Sequence, residues 1–347
     1  MNTPERALAT IDLGAIERNC ARLPKPLCAV VKADAYGHGP IAAAALKGGA
    51  TWLAVAAAEE AAALRRQGIY APILVMGALT PDELRVAVEV DADVVAWTEA
   101  IAEAAPRVHV KLDTGMGRLG TKDRELALRL AARPNVVGLM THFATADVLG
   151  DDLFAAQLDA FREFVEAVGR DDVVAHAANS AAALREPASH FGLVRCGIAV
   201  YGMDPFGEDP AAHELEPALT LRSWVGAVRR FEAGDSAGYG RRWTAAEPTW
   251  VATVPIGYGD GWRRALTNNC DVLIRGRRHP LVGTVSMDNV TVSLGSDTDV
   301  TVGDEVVLIG AQGEERILAE EVARRLDTIN YEVTCALTPR VRRQHVP

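Results

Sequence analysis

Residues 52–77 read WLAVAAAEEAAALRRQGIYAPILVMG, and this stretch contains the pattern that decides the fold. A short apolar run, Trp52 to Ala57, leads into an Ala- and Leu-rich segment of helical period that stops at Gly68. A second apolar run, Pro72 to Gly77, follows directly. Apolar runs of this length predict buried strands, and the segment between them predicts a helix that ends at a glycine. The stretch is therefore predicted to be a β-α-β unit.

The same alternation continues from the start of the chain to about residue 220. Eight strands are predicted, at Leu27 to Ala33, Trp52 to Ala57, Pro72 to Gly77, Asp93 to Trp97, Val108 to Asp113, Val136 to His142, Val173 to Ala178 and Leu193 to Val200. Eight β-then-α units in a row favour a parallel (β/α)₈ barrel of the TIM type over residues 1–220. An open doubly wound sheet stays as the alternative, because strand order cannot be read from the sequence.

The pattern changes after about residue 220. Runs such as TWVATVPIG, DVLIRG, NVTVSLG and DEVVLIG are separated by Gly, Pro, Asn and Asp, which is typical of antiparallel strands. We therefore predict a mostly antiparallel β domain over residues 221–347, with one helix at Ala319 to Leu326. Residues 1–10, which lead into the segment ALATID, are predicted to pair with this later sheet.

Composition limits the classes of partner. The 347 residues carry 36 Lys and Arg against 46 Asp and Glu, a formal net charge of −10, which argues against nucleic acid or an anionic membrane. The five cysteines are scattered without a C-x-x-C pair, so neither a disulfide framework nor a metal site is expected. The opening MNTPERALAT lacks the pattern of a signal peptide, and no apolar run is long enough to span a bilayer. We expect a cytoplasmic protein.

Polar residues recur where the predicted barrel strands end. In a barrel of this kind the functional groups lie at the carboxyl ends of the strands, so five such segments predict one site. The residues concerned are Lys32, then Lys111 and Arg118, His142, Asn179 and Ser180, and finally Arg195 and Gly197.

Lys32 is the central candidate within VVKADAYGHG. Burial lowers the pKa of an amine, and a neutral amine can bind an aldehyde cofactor covalently. The alternative is a lysine whose ammonium extends into water at a strand end. The following Gly37-His38-Gly39 favours the first reading, because glycines allow close approach of the backbone to a ligand.

The string VVKADAYGHG resembles the cofactor-lysine signature of the alanine racemases. Later segments resemble motifs of that family in the same order: KLDTGMGRLG, THFATAD, AANSAA, RCGIAVYG, AGYGRRW, IGYGDGW, GTVSMDN and NYEVTC. The resemblance covers nearly the whole chain. It implies a barrel followed by a β domain, the cofactor pyridoxal 5'-phosphate, and a head-to-tail homodimer with shared active sites. Ser286 stands where the family commonly has cysteine, and Asp34 where it commonly has asparagine.

The resemblance also implies two proton-transfer residues. Lys32 resembles the lysine that carries the cofactor and exchanges the substrate's α-proton on one face. Tyr239 is similar to the tyrosine that does the same on the other face, from the partner subunit. Racemisation removes a proton on one side and returns it on the other, which requires two opposed bases. Considered alone, Tyr239 is an ordinary turn aromatic between two glycines.

Cofactor contacts follow from the same resemblance. Arg195 resembles the arginine that faces the pyridine nitrogen; the alternative is a surface or ion-paired arginine. Arginine only donates hydrogen bonds, so that nitrogen would stay unprotonated. His142 resembles the imidazole beside the cofactor ring. The phosphate and its neighbourhood are assigned to Tyr36, Asn179, Ser180, Gly197, Ile198 and Tyr331. Alone, Ser180 would be interpreted as a helix N-cap.

The substrate-binding residues implied are Arg118, Tyr258, Met287 and Asp288. Met287 could instead fill the core of the β domain. The position of Lys111 is often an N6-carboxylysine (a carbamylated lysine) in the family. A carbamate would turn Lys111 from a cation that repels Arg118 into an anion that pairs with it.

The function implied is an isomerase that interconverts L- and D-alanine and supplies D-alanine for peptidoglycan. Three alternatives remain open: a racemase of another small amino acid such as serine, a barrel-fold decarboxylase of basic amino acids, and a non-catalytic pyridoxal-phosphate carrier. Arg195 and Tyr239 argue against the decarboxylase. The β domain argues against the carrier, since a carrier needs no second base.

Overall fold

The computed structural model describes residues 5–347, which form two compact units. The barrel unit comprises Ala15–Tyr36 and Pro40–Glu216. The β unit comprises the described residues up to Gly14, then Gly37–Gly39 and Pro217–Pro347. The first strand, β1 (Leu8–Asp12), belongs to the β unit. Within residues 5–347, every helix is too short or too polar to cross a membrane.

Eight parallel strands build the barrel unit. They are β2 (Leu27–Val30), β3 (Ala50–Val55), β4 (Ile73–Val75), β5 (Asp93–Ala96), β6 (Val108–Lys111), β7 (Val136–Met140), β8 (Val174–His176) and β9 (Val194–Cys196). Neighbours follow chain order from β2 to β8, and β9 pairs with β2. Hydrogen bonds from Gly192 to Ala175 and from Arg195 to Ala178, each 2.9 Å, bridge β8 and β9. The predicted barrel is confirmed, and the open sheet is wrong.

Helices alternate with these strands. They are α1 (Leu13–Arg22), α2 (Lys32–Gly37), α3 (Ala42–Lys47), α4 (Ala58–Arg66), α5 (Pro81–Glu89), α6 (Glu99–Ala104), α7 (Arg124–Ala131), α8 (Leu153–Val168) and α9 (Ser180–Arg185). The longest, α8, buries Phe154, Leu158, Phe161 and Phe164, whose spacing of three and four residues places them on one face. It stops at Gly169, whose left-handed φ of 59° is tolerated by glycine.

Ten strands form the sheet of the β unit, and the antiparallel domain predicted from the sequence is confirmed. Besides β1 they are β10 (Leu219–Trp224), β11 (Ala227–Phe231), β12 (Thr249–Val254), β13 (Asp271–Ile274), β14 (Arg277–Val282), β15 (Val290–Gly295), β16 (Glu305–Gln312), β17 (Glu315–Ile317) and β18 (Arg342–Val346). Two helices, α10 (Ala319–Arg325) and α11 (Asn330–Cys335), follow β17.

Strand β1 lies between β10, to which it is antiparallel, and β18, to which it is parallel. Its alternating burial puts Ala9 and Ile11 in the core, where both are fully buried. Residues 1–4 of the predicted pairing segment lie outside the described residues.

Candidate active site

Lys32 does not close its strand as predicted but begins the turn α2, two residues after β2 ends. From Ala33 to Tyr36 the φ angles lie between 52° and 55°, in the left-handed region. Each such residue costs about 1–2 kcal/mol, so neighbouring groups must hold the turn. The Glu60 carboxylate does so in part, because it accepts a 2.6 Å hydrogen bond from the Ala33 N–H. Lys32 itself is half-buried.

Four cationic side chains act on His142, which follows β7. The pKa of His142 is held well below its usual value by burial and by the charges of Arg195, Lys111, Arg118 and Lys32. Together with His142, these residues come from four strands, β2, β6, β7 and β9, or from the segments that follow them. The barrel unit therefore brings five of the sequence-predicted residues together.

Lys111 is the last residue of β6 and is only 4% exposed. Burial lowers the pKa of its ammonium to about 8, with further lowering by the charges of Arg195 and Arg118. The Asp113 carboxylate opposes this shift, but it accepts hydrogen bonds from the Gly115 and Gly117 N–H groups instead. Within residues 5–347, no carboxylate pairs with the Lys111 ammonium.

Arg195 lies in the middle of β9 and is 3% exposed. Its Nη2 donates to the carbonyls of Thr141 and Ala177, at 2.8 and 2.9 Å, and its Nη1 donates to His176 Nδ1 at 2.8 Å. Burial lowers its pKa to about 10, which leaves the guanidinium charged at neutral pH. It makes no ion pair with any residue described, so the reading as an ion-paired or surface arginine is wrong. Within residues 5–347, its Nε–H and its second Nη1–H have no hydrogen-bond acceptor.

The turn after β9 is organised around a hydroxyl. Ser180 Oγ accepts from the backbone N–H groups of Gly197, at 3.0 Å, and Ala199, at 3.3 Å. A Cβ at Gly197 would lie 2.2 Å from Tyr36 Oη, so only glycine lets the Tyr36 phenol approach this turn.

The remaining cofactor candidates are placed as follows. Asn179, not Ser180, is the N-cap of α9, with its side chain accepting from the Ala182 N–H at 3.0 Å. Ile198 follows Gly197 in the same turn and is fully buried. Tyr331 belongs to α11 of the β unit.

A second cluster lies within the β unit. Tyr239 is 74% exposed, Met287 52% and Tyr258 41%, which is unusual for large apolar side chains. The reading of Met287 as core is therefore wrong. The turns carrying Tyr258 and Met287 are tied together, since the Gly259 N–H donates to the Met287 carbonyl at 2.9 Å. Asp288 accepts a 2.7 Å hydrogen bond from Arg340.

A cavity of about 390 Å³ adjoins Tyr239. Its walls include Gly238, Thr284 and Asn289. Thr284 Oγ1 donates to the Tyr239 carbonyl at 2.6 Å, which fixes the backbone while the phenol stays exposed.

Two family descriptions match the chain. Residues 11–205 match the N-terminal domain of alanine racemase, and residues 218–345 match its C-terminal domain. The chain belongs to the alanine racemase family. This family consists of isomerases, so the chain is assigned to an enzyme class as well as to a fold.

Several alanine racemases resemble the chain in sequence and in structure. The chain is 42% identical to the alanine racemase of Symbiobacterium thermophilum, covering 96% of both chains, and 42% identical to alanine racemase 1 of Bacillus subtilis, covering 96% and 92%. The crystal structure of the alanine racemase from D-cycloserine-producing Streptomyces lavendulae superposes with a TM-score of 0.92 at 38% identity, over 100% and 98% of the two chains. The Bacillus anthracis alanine racemase, solved with bound L-Ala-P, gives 0.89 at 37%, over 100% and 96%.

Sequence reasoning missed Gln157, a buried polar residue that contacts the segments after β6 and β7. Gln157 of α8 accepts from the Ala144 N–H at 2.8 Å and donates to Thr114 Oγ1 and the His142 carbonyl, both at 3.2 Å. It thereby joins the loops that follow β6 and β7. The available signal was a glutamine at a position of α8 that is otherwise part of its apolar face.

Proposed function

We propose that the protein is a pyridoxal-phosphate-dependent alanine racemase that interconverts L- and D-alanine. The observation that carries this proposal is the cluster of Lys32, Lys111, Arg118 and Arg195 around His142. The chain as a whole has a formal charge of −10, so four neighbouring cations mark a place for anions. The cofactor phosphate and the substrate carboxylate are such anions.

The residues of the barrel unit fit this cofactor. Arg195 is buried with two N–H groups that have no acceptor within residues 5–347, which suits a ring nitrogen that accepts a hydrogen bond. The Ser180 hydroxyl, which accepts from this turn and keeps its own proton to donate, and the Ile198 N–H suit the phosphate. Gly197, Asn179 and the hydroxyls of Tyr36 and Tyr331 would complete its surroundings. Lys32 would hold pyridoxal phosphate until the substrate's amino group replaces the lysine amine, and the bound cofactor would then supply an electron acceptor for the pair left on the α-carbon.

Two side chains move the α-proton in this proposal. The Lys32 amine takes or returns it on one face, and the Tyr239 phenol does so on the other. Tyr239 comes from the β unit of the partner in a homodimer, which explains why its side chain is 74% exposed within one chain. Arg195 would donate a hydrogen bond to the ring nitrogen without giving up its proton, and this would keep the cofactor ring a weak electron acceptor and favour return of the proton to the α-carbon.

Arg118 would reach the cofactor's phenolic oxygen and the substrate side. The partner's Met287 would donate its N–H to the substrate carboxylate, with the partner's Tyr258 and the partner's Asp288 at the entrance. Three tyrosines, Tyr36, Tyr239 and Tyr258, leave space for a small side chain only, so alanine is preferred over lysine. The D-alanine produced would serve the synthesis of peptidoglycan.

Lys111 is proposed to carry a carbamate. Its lowered pKa of about 8 leaves part of the amine neutral near physiological pH. The neutral Nζ can form a bond to the carbon of CO₂ and release one proton to solvent. The resulting anion would attract Arg118 and Arg195 instead of repelling them.

We expect ¹³C NMR of the protein equilibrated with ¹³C-bicarbonate to show one bound carbamate carbon that is absent from Lys111→Met. Because only the neutral amine reacts, the signal should weaken as the pH falls well below 8. Lys122→Met, which alters a nearby lysine in the loop after β6, is the matched control and should keep the signal. Identical spectra for wild type and Lys111→Met would contradict the modification.

The function is tested by incubating the purified protein with L-alanine, with and without added pyridoxal phosphate, and measuring D-alanine. Rapid cofactor-dependent interconversion is expected, and serine and lysine should react more slowly. Faster turnover of serine would favour the broader racemase. Cofactor binding without turnover of any amino acid would favour the carrier.

A further inference from the structure

A line of buried polar side chains crosses the interior of the barrel below Arg195. Arg195 Nη1 lies 2.8 Å from His176 Nδ1, and His176 Nε2 lies 2.7 Å from His109 Nδ1. His109 Nε2 lies 3.2 Å from Asp93 Oδ2. The two imidazoles are fully buried, and Asp93 is 3% exposed. We call Asp93, His109 and His176 the relay.

The chemistry of the two ends fixes the position of every proton in the relay. Arginine can only donate, so His176 Nδ1 must be an acceptor without a proton. Burial and the neighbouring charge of Arg195 keep the pKa of His176 well below its usual value, so the ring is neutral and its proton is on Nε2. His176 then donates to His109 Nδ1. Because His109 Nδ1 accepts, the His109 proton is on Nε2, which donates to the Asp93 carboxylate.

Asp93 is held as a carboxylate. Burial alone would raise its pKa, but hydrogen bonds from His109 and Arg107 outweigh burial and lower the pKa. Arg107 Nε lies 2.5 Å from Asp93 Oδ1, and a second Arg107 nitrogen, Nη1, lies 2.8 Å from Asp91 at the surface. The relay therefore has a permanent anionic end.

The barrel makes specific room for His109. A Cβ at Gly138, on the neighbouring strand β7, would lie 2.1 Å from His109 Nδ1, so any larger residue would displace the imidazole. The Trp52 ring meets it edge-on at 5.5 Å between centroids. On β6, His109 precedes Lys111 by two residues, which places both side chains on the same face of the strand. A layer of the barrel interior that apolar side chains usually fill therefore contains a hydrogen-bonded polar network.

We propose that the relay positions Arg195 for the cofactor, by holding His176 as a pure acceptor. Hydrogen bonds to His176, Thr141, Ala177 and His142 fix the guanidinium plane, so the remaining N–H groups of Arg195 keep one direction and would be available to the cofactor ring. If the proton order were reversed at His109, two N–H groups would face each other between the imidazoles. If the proton of His176 then moved from Nε2 to Nδ1, its Nδ1–H would face the Nη1–H of Arg195. This inference rests on the proposed function, because it assigns the relay a role in that same site.

The test compares His109→Phe with His109→Gln in the holoenzyme. Phenylalanine keeps a ring but removes both hydrogen bonds, whereas glutamine can still accept from His176 and donate to Asp93. We expect His109→Phe to lower kcat by about tenfold to 10²-fold, since misplacing a group outside the substrate contacts has effects of this size. KM for alanine should change by less than about threefold, because the relay does not touch substrate. The absorption band of the bound cofactor should shift in His109→Phe and return toward wild type in His109→Gln.

A second variant covers the case in which His109→Phe does not fold. Gly138→Ala adds one methyl group that displaces the imidazole without removing a polar atom, and it should reproduce the spectral shift and the loss of kcat. Gly226→Ala is the matched control, because a Cβ there meets its nearest atom at 3.4 Å, an ordinary contact.

Unchanged kcat and spectrum in Gly138→Ala, or equal losses in the phenylalanine and glutamine variants of His109, would overturn the relay while leaving the racemase assignment intact. A wild-type protein that neither binds cofactor nor forms D-alanine would refute the proposed function, and the role of the relay with it.

Discussion

Replacing Lys32 with alanine is expected to reduce alanine racemisation by at least about 10³-fold, because proton transfer by a positioned base contributes about 10²–10⁴-fold and the covalent hold on the cofactor is lost as well. The half-buried Lys32 starts a left-handed turn, and within residues 5–347 no other lysine does so. The turn, which the Glu60 carboxylate helps to hold, fixes the backbone from which the Lys32 side chain extends. D-alanine formation measures the first effect.

Cofactor attachment gives an independent reading of the same variant. After borohydride reduction and digestion, the wild-type peptide that contains Lys32 should carry the added mass of the cofactor, and the alanine variant should not. Lys47→Ala is the control, since that side chain is 74% exposed and forms a surface ion pair with Glu17. Cofactor mass on a peptide without residue 32 would show that another amine holds it.

The positions of the site residues along the chain could be read from the sequence, but their local conformations could not. The sequence predicts Lys111 and His142 at the carboxyl ends of apolar runs, and β6 and β7 place them there or close by. Arg195, predicted on the last barrel strand, lies in the middle of β9. The turn after β2 was not predictable. Its left-handed φ angles fall on Ala33 to Tyr36, whose side chains show no preference for that region.

The relay escaped prediction because it depends on contacts between distant parts of the chain. His109 and His176 are 67 residues apart, and each one alone is a single polar residue in an apolar strand. Gly138 carries no signal at all, since its role is the space that its missing Cβ leaves for His109. Such pairings become visible only once the order of the barrel strands is known.

The second large effect is expected for Tyr239→Phe, which should lower racemisation by about 10²–10⁴-fold. Proton exchange on the face served by Lys32 should continue. The substitution removes one hydroxyl from a side chain that is 74% exposed, so the free energy of unfolding should not change. Lys32 can still exchange the α-proton on its own face. In D₂O, one enantiomer of alanine should therefore gain deuterium without inverting. Tyr70→Phe, at a side chain 87% exposed in the barrel unit, is the matched control and should racemise at the wild-type rate.

Mixing Lys32→Ala with Tyr239→Phe tests whether Lys32 and Tyr239 of one active site come from different chains of a dimer. In a dimer that pairs Lys32→Ala with Tyr239→Phe, one site loses both groups and the other keeps both. Random exchange makes half of the dimers mixed, and each of these has one intact site of two, so about one quarter of wild-type activity should return. If both groups came from the same chain, no site in any mixed dimer would be intact. Recovery near one quarter would therefore place the two bases on different chains, and no recovery in confirmed mixed dimers would place them on one.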